Sequence, residues 1–541
     1  MRFLPTCSIR GSQPNPWLIL VVLCAGVFMM LLDTTIVNLA QQDIRRDLGA
    51  NLSQMQWVLD SYILVFAVLL LTTGRLGDLY GRLRLFTIGV GIFTVASVLC
   101  AGSGMIGDFG GISGANALIA ARVLQGLGAA ILMPQTIALV TVTFPPERRG
   151  AAFGVWSSVA ASAGVVGMLV GGAIITYLSW EWIFLINLPL GIAVMTAAVW
   201  LIPECHDPLA RARFDFRGMM LSALGLFALV FALIEASRFG WSSPIILGAL
   251  LAGVSLLTLF VVWERRAPEP MMKLELFSIR NFWAGNIIMA VVNFSFFGLL
   301  LPLTVLLQGV LGFSAICAGV TLMPLALMIS LIAPFAGRLS DKIGPRGLLL
   351  GGFTLVGAGM LLLIGQVGAD ATTLELLPPL FIMGTGFALA VSQMNVVPMR
   401  QVPELMAGSA SGVLNTTRSI SQLFGIAALS SAMQLLAASE AKSTLEATRI
   451  GSELRHQASD LVSEGRFGEL SSLGGQAEQV ILQALYRDLQ DSFITGFSGA
   501  VVLAGAAIIL GLGSAILVRT GEPAPLADRT PPATEPASSG D

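Results

Sequence analysis

The stretches GRLGDLYGR (Gly74–Arg82) and GRLSDKIGPR (Gly337–Arg346) decide how this sequence is read. Both follow G-x-L-x-D-x-x-G with an arginine close behind, and both sit in polar breaks between apolar runs. A polar break draws on glycine for its turn and on arginine for the cytoplasmic face, so one copy would be ordinary loop chemistry. Two copies at equivalent places imply that the chain is internally duplicated. The duplication extends further, because PERRGAAFG at 146–154 has a counterpart in PELMAGSASG at 403–412, each leading into the fifth apolar span of its half.

Composition places those spans in a membrane. Of 541 residues, 55% are hydrophobic and 11% charged, against about 25% charged in soluble domains. A formal net charge of −2 leaves no basic face for nucleic acid. The five cysteines (Cys7, Cys24, Cys100, Cys205, Cys317) are scattered, so neither a disulfide framework nor a zinc site follows. Cys205-His206 lacks further ligands and reads as loop, and no metal or cofactor is expected. Residues from Trp17 onward are apolar for longer than the core of a secretory signal and lack a cleavage pattern, so they read as a first span.

About 20 apolar residues cross the hydrocarbon layer. Fourteen windows qualify, beginning near Trp17, Met55, Leu85, Gly114, Ala151, Trp182, Arg217, Ser243, Asn281, Ala315, Arg346, Leu374, Ala407 and Asp491. The reading is an all-helical membrane protein: a cytoplasmic N-terminus (1–16), a six-helix bundle (17–202), a linker with a two-helix insert (203–280), a second six-helix bundle (281–518) and a disordered cytoplasmic tail (519–541). Arginine and lysine crowd the loops after even-numbered spans (Arg75, Arg82, Arg84, Arg148, Arg149, Arg211, Arg213, Arg265, Arg266, Lys273, Arg338, Lys342, Arg400). The opposite loops carry Arg45, Arg46 and Arg238. The positive-inside rule therefore puts both termini in the cytoplasm. A polar stretch at 438–490, with helical apolar spacing at Val480, Leu482 and Leu485, is expected as a helical hairpin over the outer mouth. Bundles repeated about an axis along the membrane normal place a substrate site between them at mid-membrane.

Ionisable groups within spans are expensive, about 2.5 to 3.5 kcal/mol each at the helix centre, so a role is their default explanation. They are Asp33, Asp60, Arg122, Glu235 and Arg418. Counting ~1.5 Å per residue puts Asp33 and Asp60 at similar depth in the outer half. A carboxylate in a low dielectric that still reaches water can exchange a proton for a cation. Arg122 keeps its charge and can tune such a carboxylate, but cannot carry the proton. Thr34, Thr35 and Asn38 stand near Asp33 and could merely satisfy it. Glu235 reads as interfacial, and Arg418 needs a partner the sequence does not name. Asn38, Gln125, Asn286, Asn293, Gln308, Asn395, Asn415 and Arg418 are candidates to line the cavity. Gly164, Gly167, Gly171 and Gly172 have the spacing of close helix packing.

At these residues the sequence resembles the major facilitator superfamily and, within it, the fourteen-helix drug:proton antiporter family. LDTTIVNLA (Leu32–Ala40) is similar to that family's first-helix signature, with Asp33 in place of its aspartate. RVLQGLGAA (Arg122–Ala130) is similar to the fourth-helix signature, and WIFLINLPLG (Trp182–Gly191) and LNTTRS (Leu414–Ser419) also fit. Three departures are Leu79, where an arginine is usual, Met168, where a proline is usual after the central glycine, and Gln41 with Gln42, where the first-helix signature ordinarily ends Ala-Leu-Pro.

The resemblance implies a two-bundle fold and export of small amphipathic, often cationic compounds across the plasma (inner) membrane against proton entry. It implies a cytoplasmic gate latch at Asp78 with Arg82 and Arg84, meeting a helix N-terminus or a base in one state. Gly74, Gly81, Gly337, Asp341 and Arg346 complete the gate set. Asp33 is the first choice for proton coupling, with Asp60 and Arg122 beside it. A dedicated exporter of one endogenous metabolite or antibiotic is the alternative, and a non-transporting receptor or scaffold a more remote one. An enzyme is not expected, because His206 and His456 both read as loop residues and no nucleophile-base pair or nucleotide loop is present. The expected partners are a small-molecule substrate, protons and lipid, with the chain acting as a monomer.

Overall fold

The computed structural model describes residues 15–50, 52–105, 113–203, 215–267, 270, 272–403, 406–446, 451–470, 473 and 476–519. Cys7, Cys205, His206, Arg211, Arg213 and the tail beyond Arg519 lie outside the described residues, as do the side chains of Asn38, Met168 and Arg238.

The described residues form helices and no strand, because in hydrocarbon a helix satisfies every backbone group within its own segment. The first half holds α1 (Pro16–Asp47), α2 (Leu52–Tyr80), α3 (Arg82–Ala101), α4 (Gly114–Thr143), α5 (Arg149–Tyr177) and α6 (Trp182–Leu201). The insert is α7 (Phe216–Phe239) and α8 (Pro244–Glu264). The second half begins with α9 (Arg280–Val305), which ends in a π turn at Leu306–Val310, then α10 (Ala315–Ile343), α11 (Pro345–Gln366), α12 (Thr373–Met394) and α13 (Ala407–Glu446). Three short helices follow, α14 (Ser452–Ser463), α15 (Phe467–Leu470) and α16 (Gln476–Ala484), before the final long α17 (Tyr486–Leu517). Among the described residues, 13 helices are long and apolar enough to cross a membrane, and α5, with 29 residues, is a further long helix. Caps start several of them: Asn15 accepts from the Trp17 amide, Ser113 from Asn116 and Ser314 from Cys317.

The duplication is visible in the packing. In the first half α3 packs on α4, α2 on α4, α1 on α5, and α6 on α1 and α3. The second half repeats each pair in order: α11 on α12, α10 on α12, α9 on α13, and α17 on α9 and α11. Small residues set the tightest crossings. A Cβ on Gly128 would lie 2.5 Å from the Phe93 nitrogen in α3, and in the other half one on Gly386 would lie 2.6 Å from the Gly352 carbonyl. The halves join through α2 against α13 and α5 against α10, while α7 lies along α2 and α13. Apolar side chains such as Leu251 and Ile509 face outward, as a lipid-covered surface requires.

Three expectations change. Of Gly164, Gly167, Gly171 and Gly172 in α5, Gly167 makes a close approach, where a Cβ would meet Thr35 of α1 at 2.9 Å; a Cβ at Gly164 or Gly172 would enter open space. The 438–490 stretch is helical, but it packs on α13, α17 and the π turn of α9, all in the second half. Its anchors are Phe467 against Tyr486 and Phe493, Gly465 against Gly309, and the Gln490 amide donating to the Val310 carbonyl at 2.8 Å. His456, expected in a loop, sits on α14, 3.5 Å from Asp460.

Candidate functional site: a buried ion pair and two helix-capping latches

Asp33 of α1 is fully buried, and the Arg122 guanidinium of α4 donates to its Oδ2 at 2.6 Å. Its Oδ1 accepts from the Gln125 amide at 2.8 Å and from the Asn187 amide of α6 at 3.0 Å. Ser97 of α3 accepts from both amides, at 2.8 and 3.2 Å, tying a third helix to the cluster. Arg122 has further partners: it also donates to Gln125 Oε1 at 2.6 Å and to the Val58 carbonyl of α2 at 3.1 Å, and lies 4.3 Å over the Tyr62 ring. Cys100 Sγ approaches Gln125 Oε1 at 3.6 Å. The hydroxyls of Thr34 and Thr35 donate to the Leu31 carbonyl of their own helix. Removing one partner from such a buried pair leaves an uncompensated charge, which costs about 3 to 5 kcal/mol.

The sequence singled out Asp33, Arg122 and Gln125, and the structure brings them together. Tyr62, Ser97, Cys100 and Asn187 complete the cluster and were not anticipated in it. Asp60 does not join them. It lies two residues from both Val58 and Tyr62, about 200° around α2, so it faces away from Arg122. On that side it lies within electrostatic reach of Glu235 on α7.

The two motif copies form equivalent contacts at one end of the molecule, the motif end. Asp78 is fully buried, with Oδ1 accepting from the Gly408 amide at 3.0 Å and Oδ2 from the Ser409 amide at 2.8 Å. Ser409 Oγ adds a bond at 3.1 Å, and Arg82 pairs with Asp78 at 2.8 Å. The acceptor thus caps the start of α13 in the other half, where helix amide groups and dipole favour an anion. Asp341 does the same in reverse, its Oδ1 and Oδ2 accepting from the Gly150 and Ala151 amides of α5, both at 2.9 Å. The glycine one turn earlier brings the backbones into contact: a Cβ on Gly74 would lie 2.7 Å from the Gly408 carbonyl, and one on Gly337 would lie 2.2 Å from that of Gly150. Arg149 reaches across to the Met399 carbonyl at 3.2 Å. Arg84 and Arg346 are exposed.

The other polar candidates separate. Asn395, Asn415 and Arg418 meet on the seam, with Asn286 joined to the same stretch of α13 through Thr417 at 2.9 Å. Asn293 donates to the Met289 carbonyl of its own helix and touches Met394. Gln308 is exposed in the π turn, so it does not line the seam with them.

A fold of two repeated six-helix bundles with cross-docked loop motifs defines a membrane transporter architecture. The model of the Major Facilitator Superfamily matches residues 23–426, and the chain belongs to that family. It is 32% identical over 527 residues to the tetracenomycin C resistance and export protein of Streptomyces glaucescens, covering 96% of this chain and 94% of that one. It is also 32% identical over 497 residues to the multidrug resistance protein Stp of Mycobacterium tuberculosis (strain CDC 1551 / Oshkosh), covering 91% and 90%. Among solved structures, the proton:xylose symporter XylE matches with a TM-score of 0.56 at 13% identity, over 92% of this chain and 96% of that one, a likeness of fold alone.

Proposed function

We propose that this chain exports small amphipathic drugs or antibiotics, cationic ones included, across the plasma membrane in exchange for protons, by alternating access between its two bundles. Export is supported by the resistance and export activities for which its relatives are named. The observation that carries the proton coupling is the buried Asp33–Arg122 pair. A proton arriving on Asp33 removes the charge that Arg122 neutralises, while the Val58 carbonyl, Gln125 and the Tyr62 ring continue to hold the guanidinium. Val58 belongs to α2, and α2 ends in the Asp78 latch, so a shift at the pair reaches the gate along one rigid helix.

In this reading the motif end is cytoplasmic and, with both latches made, the protein is closed on that side. Opening inward breaks both latches; protonation of Asp33 from outside and its release inside set the direction. The test uses purified protein in liposomes with an imposed pH gradient and ethidium as the exported cation. Wild type is expected to move ethidium against its gradient, and Asp33→Asn to lose pH-driven movement. Full pH-driven transport in Asp33→Asn would refute the coupling role.

A further inference from the structure

Two arginines lie deep in the spans, and their surroundings differ. Arg122 has its counter-ion within the chain and further acceptors in the Val58 carbonyl and Gln125. Arg418 sits 11 residues beyond Ala407, the first residue of α13, or roughly 17 Å from the motif end. No carboxylate among the described residues pairs with it. Its Nη2 donates to Asn395 Oδ1 at 3.1 Å, its Nη1 reaches Asn415 Oδ1 at 3.4 Å, and its guanidinium lies 5.1 Å from the Trp156 ring of the other bundle.

Three buried donors in this one group have no acceptor: Arg418 Nε, Asn395 Nδ2 and Trp156 Nε1. Buried donors left unsatisfied are rare and costly, and a cation without a counter-ion in a membrane interior is costlier still. A cluster with three unsatisfied donors and one positive charge is complementary to an anion. The group also spans the seam, since Trp156 comes from α5 and the other two residues from the second half, just beyond the Gly74–Gly412 contact that closes the motif end. A ligand held here would sit between the bundles.

We propose that Arg418, Asn395 and Trp156 form a subsite for the carboxylate of an amphipathic organic acid, so that acidic compounds belong to the transported range. Arg418 supplies charge and a fork of N–H groups, Asn395 and Trp156 each supply one donor, and the Trp156 ring offers an apolar face to the body of the ligand. The inference rests on the export reading for the meaning of the site, but its test is binding.

Purified full-length protein in phosphatidylcholine nanodiscs is dialysed to equilibrium against anthraquinone-2-carboxylate and its neutral isostere, anthraquinone-2-carboxamide. Wild type is expected to prefer the carboxylate by about ten- to a hundredfold, the range a hydrogen bond to a charged group supplies. Arg418→Gln should bring that ratio to about one, and Trp156→Phe, which keeps a ring but removes the N–H, should lower it about three- to tenfold. If Arg418→Gln fails to fold by thermal unfolding, Trp156→Phe carries the test. Equal binding of the two probes by wild type, or an unchanged ratio in the variants, overturns the proposal. Loss of the ratio when phosphatidylglycerol is added also overturns it, by assigning the site to a lipid headgroup. Ethidium efflux from cells separates the two readings. Preference without efflux sinks the export reading alone, and efflux without preference sinks this proposal alone.

Discussion

Replacing Asp78 by asparagine should unlatch the motif end. In the native contact both carboxylate oxygens accept, from the Gly408 and Ser409 amides and the Ser409 hydroxyl, and Arg82 adds an ion pair. An asparagine keeps one oxygen and turns an NH2 toward a backbone N–H, so one buried donor loses its acceptor, at about 1 to 3 kcal/mol. The lost charge at the start of α13 adds about 1 kcal/mol. The sum, roughly 2 to 4 kcal/mol, falls only on the state in which the latch is made, and corresponds to a shift of about 30- to 700-fold toward opening. Asp341 makes two amide bonds and is only partly buried, so Asp341→Asn should shift the equilibrium less, by about fivefold. Spin labels on Tyr80 and Ile343, exposed residues at the ends of α2 and α10, report the separation of the halves by pulsed dipolar spectroscopy. The wild type should show mainly the short distance, Asp78→Asn a large longer-distance population, and Asp341→Asn a smaller one. Identical distributions in all three, or a larger shift in Asp341→Asn, would refute the argument from burial.

Gly337→Ala should act on the same equilibrium through overpacking of about 1 to 3 kcal/mol, because the new methyl meets backbone, the Gly150 carbonyl, whereas Gly347→Ala enters open space and should leave the distances unchanged. Gly128→Leu should lower the thermal midpoint of the detergent-purified protein by forcing α4 away from Phe93 of α3; an unchanged midpoint would show that this crossing is loose. If Asp60 also carries a proton, two protons enter per monovalent cation and efflux gains about 2.3 kcal/mol per 100 mV. Voltage-clamped vesicles should then show voltage-sensitive ethidium efflux in the wild type and pH-only efflux in Asp60→Asn. A reporter fused within 451–470 should lie outside and one after Arg519 inside; both on one side would overturn the proposed orientation.

The fold was largely legible because hydropathy marks the spans and the repeated motif marks the duplication. Those signals locate helices along the chain but say nothing of their rotation about their own axes. Asp60 shows the consequence: a depth count puts it level with Asp33, yet α2 turns it toward Glu235 and gives Val58 and Tyr62 to Arg122. Asp33, Arg122 and Gln125 stand out as charged or amide groups in apolar runs. Ser97, Cys100 and Asn187 do not, because isolated small polar residues are common within membrane helices and become a cluster only when α3 and α6 meet. The orphaned indole N–H of Trp156 carries no signature in the sequence at all.

The spacing within the repeated motif now has a physical basis. Glycine and aspartate stand four residues apart, one helical turn, so both lie on the same face of α2 or α10. The glycine strips that face to backbone, letting the partner helix of the other half come within contact distance; the aspartate then reaches that helix's first amide groups. The position before the aspartate is Gly77 in one copy and Ser340 in the other, and each meets a glutamine of its own bundle. Gln135 fills the space beside Gly77, where a Cβ would lie 1.9 Å from its oxygen, while Ser340 donates to Gln393. The later glycines, Gly81 at φ +102° and Gly344 at φ +82°, turn the chain into α3 and α11 through backbone angles that other residues rarely adopt. Each half therefore contributes one acceptor and one helix start, and each is locked to the other at two points related by the repeat. In the proposed transport cycle, opening one latch while the other holds would twist the bundles against each other, so the proposal requires the two to release together.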